Sequence, residues 1–531
     1  MRCGVDRPGH DAWVGVGVEV LRYVRALEME IEAAGVKLEI ARFEHAEELK
    51  CLRRGVASRD REIRRLGDEL KLAIERLGLG SANSSKPPST DGLGAPKRAV
   101  RLATGKRRGG QPRHPFHARA LVERVACATV TEHRPEACRG CGEVLTGDDP
   151  EPLRHQIVEL PRPVPRVDEH RLHSLRCGKC GVVSRATLPD GVQGRGFGPG
   201  VEATAATLAG SGRLSHRTIQ DLMRDLFGVR MALGTVPALL RRASEAIAPA
   251  VDEAREFVRW HEGVKNVDET TWYQRGADGS NEDGRRAFVW VAATGPVTVY
   301  DIALSRGQKV AEGLLGEVMT GMLVSDRYSG YRYINIEKRQ LCWAHLYRDF
   351  VRISERTGKA GGLGHKLKKV TERLFRLWDE YRNGEIEASM WESVTTGIRM
   401  RIRGLLEQGA GYATRKDERS ETTRTKNTCR ELLGVEPAMW TFLTRPEIGM
   451  TNNLAERSLR HAVLWRRTSF GSQSESGAET VARLLTVVMT MRSRGESAHR
   501  FLVDTCEAAH AGRAGPSLVP ASQRQGESRA P

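Results

Sequence analysis

A chain of 531 residues, 39% of them hydrophobic, has material for several cores, and about three or four domains are expected. Its formal net charge of +17 points to a polyanionic partner, because lysine and arginine neutralise phosphate. No apolar run reaches the length of about 18 residues that a spanning helix needs, and the start lacks the pattern of a signal peptide; no membrane association and a cytoplasmic location are expected.

Residues 16–80 are predicted to form a coiled-coil oligomerisation helix. Leu49, Leu52, Val56, Ile63, Leu66, Leu70, Ala73 and Leu77 fall on alternating spacings of three and four once Arg59 is counted as a break. Residues 81–118 read as a basic disordered linker, rich in Gly, Ser and Pro. Lys106, Arg107 and Arg108 are its candidate DNA contacts, along a phosphate backbone or in a minor groove.

Ten cysteines include two Cys-x-x-Cys pairs, a usage that suits reduced thiols and metal. Cys138, Cys141, Cys177 and Cys180 in residues 119–190 read as a zinc ribbon holding one structural Zn²⁺, with Gly140 and Gly178 turning the two knuckles. The segments Arg154 to Leu160 and Val167 to Leu175 alternate like strands. Cys127, Cys342, Cys429 and Cys506, with Cys3 and Cys51, are expected to be inert thiols.

Residues 198–258 are predicted helical and DNA-binding. Thr218 to Phe227 and Gly234 to Ala243 have the lengths of a helix-turn-helix, with Arg230, Arg241 and Arg242 on or near the second helix; an ordinary helical hairpin is the alternative. From residue 260 the pattern changes to strands. Gly263 to Val267 leads into Asp268, Arg286 to Ala293 and Val297 to Leu304 read as a hairpin, Gln308 to Val318 as a helix, and Gly321 to Ser325 leads into Asp326. Arg339 to Ala344 reads as a further strand, followed by His345, which either contacts a scissile phosphate or metal ligand or is structural.

Residues 260–350 are thus the first part of a catalytic core, 351–448 a helical insertion anchored by Trp378, Trp391 and Trp440, and 449–505 the second part. Residues 512–531 read as a disordered tail. In the second part Asn453, Glu456, Arg457 and Arg460 line one side of a helix. Locally this is a capping box, with Asn453 as N-cap and Glu456 paired to Arg460. The order of strand with Asp, two strands, helix, strand with Asp and helix with Glu matches a ribonuclease-H-like sheet. Three carboxylates from separate elements suit a pair of hard divalent cations. Arg457, Arg460, Arg466 and Arg467, with Phe470 to Ser474, are candidate phosphate contacts.

The combination of Asn83 to Ser89, Val267-Asp268-Glu269-Thr270, Ser325 to Tyr331, Cys342-Trp343-Ala344-His345-Leu346 and Thr451 to Arg460 resembles the large transposase of the bacterial insertion-sequence sixty-six family. The resemblance implies a DDE-type catalytic set, here Asp268, Asp326 and Glu456, using two Mg²⁺ or Mn²⁺ ions. It further implies binding to terminal inverted repeats and to target DNA, assembly as a dimer or higher homo-oligomer, accessory proteins of the same element, and association with the nucleoid through DNA. Two positions depart from the family pattern: Arg327 stands where Gly is usual and Tyr347 where Arg is usual. The architecture expected is multidomain α+β, with coiled coil, zinc ribbon, helical DNA-binding segment and a ribonuclease-H-like core carrying a helical insertion. The alternatives are a structure-specific nuclease on the same sheet and a catalytically inactive zinc-ribbon regulator.

Overall fold

The computed structural model describes Tyr23 and residues 119–524, apart from 190, 191, 193, 416–419 and 446. The expected coiled coil and the basic linker with Lys106, Arg107 and Arg108 lie outside the described residues. The chain divides into two compact units, one containing 169–223 and 230–524, the other 119–168 and 224–229.

In the smaller unit the chain forms a knuckle at Cys138 to Gly142, closed by a bridge between Ala137 and Val144. The strand expected at Arg154 to Leu160 is absent. That stretch forms no ladder, although Arg154 and Gln156 bond Val122, and its apolar side chains Ile157, Val158 and Leu160 are exposed. Alternation without a face to bury does not make a sheet.

The larger unit opens with a short hairpin, β1 (Ser174–Arg176) and β2 (Val183–Arg185), much shorter than the strand expected from Val167. Helices α1 (Pro199–Gly210), α2 (His216–Phe227) and α3 (Thr235–Trp260) follow. The second helix of the expected helix-turn-helix does not stop near Ala243. It runs for 26 residues because the apolar stripe continues through Ile247, Val251, Ala254 and Val258, all buried. Arg242 is bonded to the buried Glu202, so this is a core helix with one of its candidate DNA contacts turned inward.

Next come β3 (Val264–Trp272), β4 (Ala287–Ala293), β5 (Thr298–Ala303), α4 (Gln308–Leu315), β6 (Met322–Ser325) and β7 (Arg339–Leu341). They form one sheet in the order β5-β4-β3-β6-β7, antiparallel from β5 to β3 and parallel from β3 to β7. Helices α5 (Trp343–Ser354), α6 (Gly358–Arg382), α7 (Ala388–Ala410), α8 (Glu421–Gly434) and α9 (Thr441–Thr444) make up the insertion and its approach, then α10 (Asn453–Ser469), α11 (Glu475–Ser493) and α12 (Ala498–His510) return to the sheet.

Both sheet edges are closed by side chains. On β5 the N–H groups of Thr298 and Tyr300 donate to the hydroxyls of Thr490 and Thr486 on α11, each at 3.0 Å. At β7 the Thr441 hydroxyl donates to the Arg339 carbonyl at 2.6 Å, and Gln340 bonds the backbone of Met439 and Phe442. Edge strands covered in this way offer no template for pairing with another chain. Trp343, Trp378, Trp391, Trp440 and Phe442 share one aromatic core in the insertion, with Trp343 and Trp440 centroids 4.8 Å apart and Trp378 and Phe442 5.3 Å apart. The tail expected to be disordered from Gly512 instead packs as far as Leu518 and Val519, both buried, with Arg494 donating to the Leu518 carbonyl at 2.7 Å.

Helix α6 crosses α5 at Gly364, where an added Cβ would overlap the backbone of Ile353 and Ser354. Substitution Gly364→Ala is therefore expected to force the two helices apart and destabilise the protein by about 1–3 kcal/mol, read as a lowered midpoint in thermal or urea unfolding.

Candidate active site

The pairing of β3 with β6 runs from Val264 opposite Met322 to Asn266 opposite Val324. Continued two residues further, that parallel register sets Asp268 beside Asp326, on the same face of the sheet. The sequence reading put Asp268 at a strand end. In fact β3 continues to Trp272 along β4, and it is β6 that ends at Ser325. Asp268 therefore stands inside a strand at the point where one neighbour has stopped, which opens the sheet there. Asp326 is fixed by the Tyr328 N–H, which donates to its Oδ1 at 2.8 Å.

Glu456 arrives on the first turn of α10. The capping box expected around it is not formed: Asn452 occupies the N-cap position, makes no side-chain cap, and α10 begins at Asn453. Asn452 is fully buried and turned to the sheet, where its Nδ2 donates to the Val267 carbonyl at 2.7 Å and its backbone N–H meets Cys342 Sγ at 3.2 Å. Its Oδ1 is buried without a partner. The Glu456 carboxylate is then free to face α5 rather than its own helix. Oε1 lies 3.4 Å from His345 Nδ1 and 3.9 Å from Cys342 Sγ, and Oε2 lies 3.6 Å from an Arg348 nitrogen.

The guanidinium of Arg348 approaches His345 Nε2 at 3.2 Å and can only donate there. Nε2 is therefore the accepting nitrogen, and the proton of a neutral ring is on Nδ1, facing Glu456. Burial lowers the His345 pKa against the opposing pull of Asp326 and Glu456, in keeping with that neutral ring. Asp268 has its pKa raised well above the ordinary value, first by burial and then by the charges of Glu269, Asp326 and Glu456. Asp326 and Glu456 are thus both close enough for their charges to act on Asp268. Burial and Glu456 push the Cys342 thiol up to about 12.

Among the described residues one set of donors for a cation is drawn together. Cys342, His345 and Glu456 present ligand atoms within 4.8 Å of one another. Thiolate is the ligand form of cysteine, and a thiol titrating near 12 beside the arginine-bonded His345 is poorly suited to that role. The carboxylates of Asp268, Asp326 and Glu456 are not drawn into such a set, although the charges of Asp326 and Glu456 act on Asp268.

Neighbouring side chains, to which the sequence assigned no role, support this face. Glu269, buried beside Asp268, accepts from Arg306 at 2.6 Å and from the Tyr331 hydroxyl at 2.5 Å, and the Arg306 guanidinium lies 3.8 Å from the centre of the Tyr328 ring. Arg327, next to Asp326, bonds Asp349 on α5 at 2.6 Å and Glu431 on α8 at 2.9 Å. Of the candidate phosphate contacts, Arg457, Arg460 and Arg467 are exposed on α10, whereas Arg466 is turned inward onto the Thr271 hydroxyl at 2.7 Å.

The two cysteine knuckles are built alike. In one, the Cys138 N–H donates to the Glu143 carbonyl at 2.8 Å and the Gly142 N–H to the Cys138 carbonyl at 2.9 Å; in the other, Cys177 and Gly181 repeat these bonds at 2.8 and 2.9 Å. The glycines that the turns require are Gly142 (φ 80°) and Gly181 (φ 72°), after the second cysteine, and not Gly140 and Gly178 within the pair. Backbone N–H groups, first that of Cys141 or of Cys180, lower the pKa of Cys138 and Cys177 respectively.

Residues 197–480 match the family described as Transposase IS66 family, and this stretch spans β3 to β7 and α10. The chain belongs to that family. Residues 36–120 match a second family, of unknown function. Among relatives, the uncharacterized protein y4qI of Sinorhizobium fredii is 27% identical over 81% of this chain and 78% of its own length. The uncharacterized protein y4hP of the same organism is 25% identical over 84% of this chain and 82% of its own. Membership of the IS66 family suggests a DNA-processing transposase, with DNA as partner and divalent metal in use. Among the described residues no helix is long and apolar enough to cross a membrane.

The thiol environments of this IS66-family chain give a direct test. In folded protein stripped of metal with a chelator, iodoacetamide at neutral pH is expected to label Cys138 and Cys177 and to spare Cys342 until denaturant is added, as read by peptide mass spectrometry.

Proposed function

We propose that the protein is a DDE-type transposase in which Asp268, Asp326 and Glu456 form one catalytic centre on a ribonuclease-H-like sheet. The observation that supports the reading is the β3–β6 register, which ends at Asn266 opposite Val324 and, if extended by two residues, would set Asp268 beside Asp326, together with the charges of Asp326 and Glu456 acting on Asp268. The sheet order, with an antiparallel β-meander followed by two parallel strands, agrees with the ribonuclease-H-like arrangement.

When bound, two Mg²⁺ or Mn²⁺ ions would supply Lewis-acid stabilisation of an in-line phosphoryl displacement. Asp268 and Asp326 offer oxygen donors from adjacent strands, and Glu456 adds a third from a separate element. His345 and Arg348 orient the Glu456 carboxylate, one from each oxygen. The activity proposed is cleavage of the 3′ ends at the terminal inverted repeats of an insertion sequence and their joining to target DNA. A dimer or higher homo-oligomer, with accessory proteins of the same element, completes the reading. Each knuckle offers two thiols on a preformed turn, which suits structural Zn²⁺.

With a labelled duplex carrying the element's end and Mg²⁺ or Mn²⁺, wild type is expected to give strand-joined products. Asp268→Asn, Asp326→Asn and Glu456→Gln are each expected to lower cleavage and joining at least about a hundredfold, since even outer partners of a metal ligand cost that much. Cleavage without joined products would leave a nuclease; specific binding with no cleavage in any variant would leave a DNA-binding regulator. Arg327 is neutralised by Asp349 and Glu431, so its departure from the family pattern is compatible with an active centre. Arg327→Gly is expected to keep cleavage within about tenfold while lowering stability by about 1–3 kcal/mol, checked by parallel activity and thermal unfolding measurements.

A further inference from the structure

Arginines around the sheet and the insertion are largely paired: Arg242 with Glu202, Arg306 with Glu269, Arg327 with Asp349 and Glu431, Arg399 with Glu436. Helix α10 differs. Arg457, Arg460 and Arg467 occupy one exposed stripe along it, at helical spacing, and none has an ion-pair partner among the described residues. The stripe begins one residue after Glu456. It ends at Phe470, whose side chain is 78% exposed and whose backbone is left-handed, with φ 57° and ψ 26°.

Nothing in the fold accounts for a phenylalanine at that position. Helix ends of this kind favour glycine, and a side chain with a Cβ is disfavoured there. No core is gained either, since the ring stands in solvent. Its position is nevertheless fixed. The next residue, Gly471 (φ 94°), passes so close to Tyr273 that a Cβ would overlap the Tyr273 carbonyl. The Ser472 N–H then donates to that carbonyl at 2.8 Å, the Arg275 N–H to the Ser472 carbonyl at 2.9 Å, and Trp272 Nε1 to the Ser472 hydroxyl at 3.0 Å. Tyr273, on the strand side of this contact, is itself 58% exposed. Two exposed aromatic side chains thus flank a rigid ledge at the end of an unpaired cationic stripe.

We propose that this ledge is a stacking platform for an unpaired DNA base, and that Arg457, Arg460 and Arg467 carry the phosphates of that strand between it and Glu456. Unneutralised cations followed by exposed aromatic faces are the chemistry by which proteins hold single strands. Paired bases inside a duplex present no free face to such a ring. At about 1.5 Å per residue, Glu456 and Phe470 are about 21 Å apart along α10, a span of several nucleotides. The inference rests on the transposase reading only in taking Glu456 as the catalytic end of the track.

The test compares full-length protein binding, by fluorescence anisotropy in EDTA, to a blunt duplex of arbitrary sequence and to the same duplex with an unpaired 3′ tail. Wild type binds the tailed duplex more tightly. Phe470→Ala loses about tenfold on the tailed duplex and nothing on the blunt one, while Phe470→Trp retains the preference. Phe470→Gly shows the same loss with an unchanged or higher melting temperature, because glycine accepts the left-handed backbone, so unfolding cannot produce the result. Arg460→Ala and Arg467→Ala weaken both complexes and flatten their salt dependence. Equal loss on both duplexes, or no loss in Phe470→Ala, overturns the platform. A tail preference that depends on Phe470 in a protein with no cleavage activity would sink the transposase reading and leave the platform. Full cleavage and joining with no tail preference would remove the platform alone.

Discussion

The side-chain nitrogen of Asn452 donates to the Val267 carbonyl, and its backbone N–H meets the Cys342 sulfur, so one buried residue touches the strand before Asp268 and the turn before His345. Between Cys342 and Asn452 the chain makes its whole helical excursion. Closing a long loop costs only slightly more than closing a short one, provided both ends are held in one place. Asn452 does the holding, and the Trp343 N–H adds a second tie by donating to the Met450 carbonyl at 2.9 Å. Without those ties nothing would bring Glu456 to Cys342 and His345. The insertion adds an aromatic core continuous with Trp343 and Phe350 of α5, and it returns Thr441, Met439 and Phe442 to β7.

That closure gathers carboxylates that repel one another. Burial and the charges of Glu269, Asp326 and Glu456 together raise the Asp268 pKa. The surrounding arginines divide the load. Arg306 takes Glu269, Arg348 faces Glu456, and Arg327 takes Asp349 and Glu431, each from a different element. None of them is ion-paired to Asp268 or Asp326. On the proposed reading the two aspartates, one within β3 and one just past the end of β6, are the carboxylates with no ion-pair partner among the described residues, and there a positive ligand would gain most.

Much of this could be read before any coordinates. The apolar runs ending at Asp268 and Asp326 marked real strands, the hairpin between them formed within a residue or so of its expected bounds, and Trp378, Trp391 and Trp440 are core residues. What escaped depends on contacts between distant segments. The pattern from Asn453 to Glu456 satisfied a local rule for helix starts, but Asn452 and Glu456 found tertiary partners that the rule cannot see. Cys342 was expected to be an inert thiol and is buried with its pKa pushed up to about 12; what its neighbours in sequence could not show is that Glu456 reaches it from far along the chain. The end set for α3 at Ala243 followed typical helix-turn-helix length, although the apolar periodicity ran on to Val258. In the knuckles the glycines inside the pairs drew attention, whereas the reversal of the chain falls one residue beyond.

The same division explains α10. Its inward side carries Ala455, Leu459, Ala462 and Val463 against the sheet, and Arg466 reaches through to Thr271, so this face is fully committed to the fold. Its outward side holds arginines without ion-pair partners among the described residues and ends in an aromatic residue that the backbone would rather replace by glycine. A surface under no demand but solubility would pair its charges and relax such a turn. Features that cost stability and sit on the helix that also bears Glu456 are most simply explained by a ligand that meets that helix along its length.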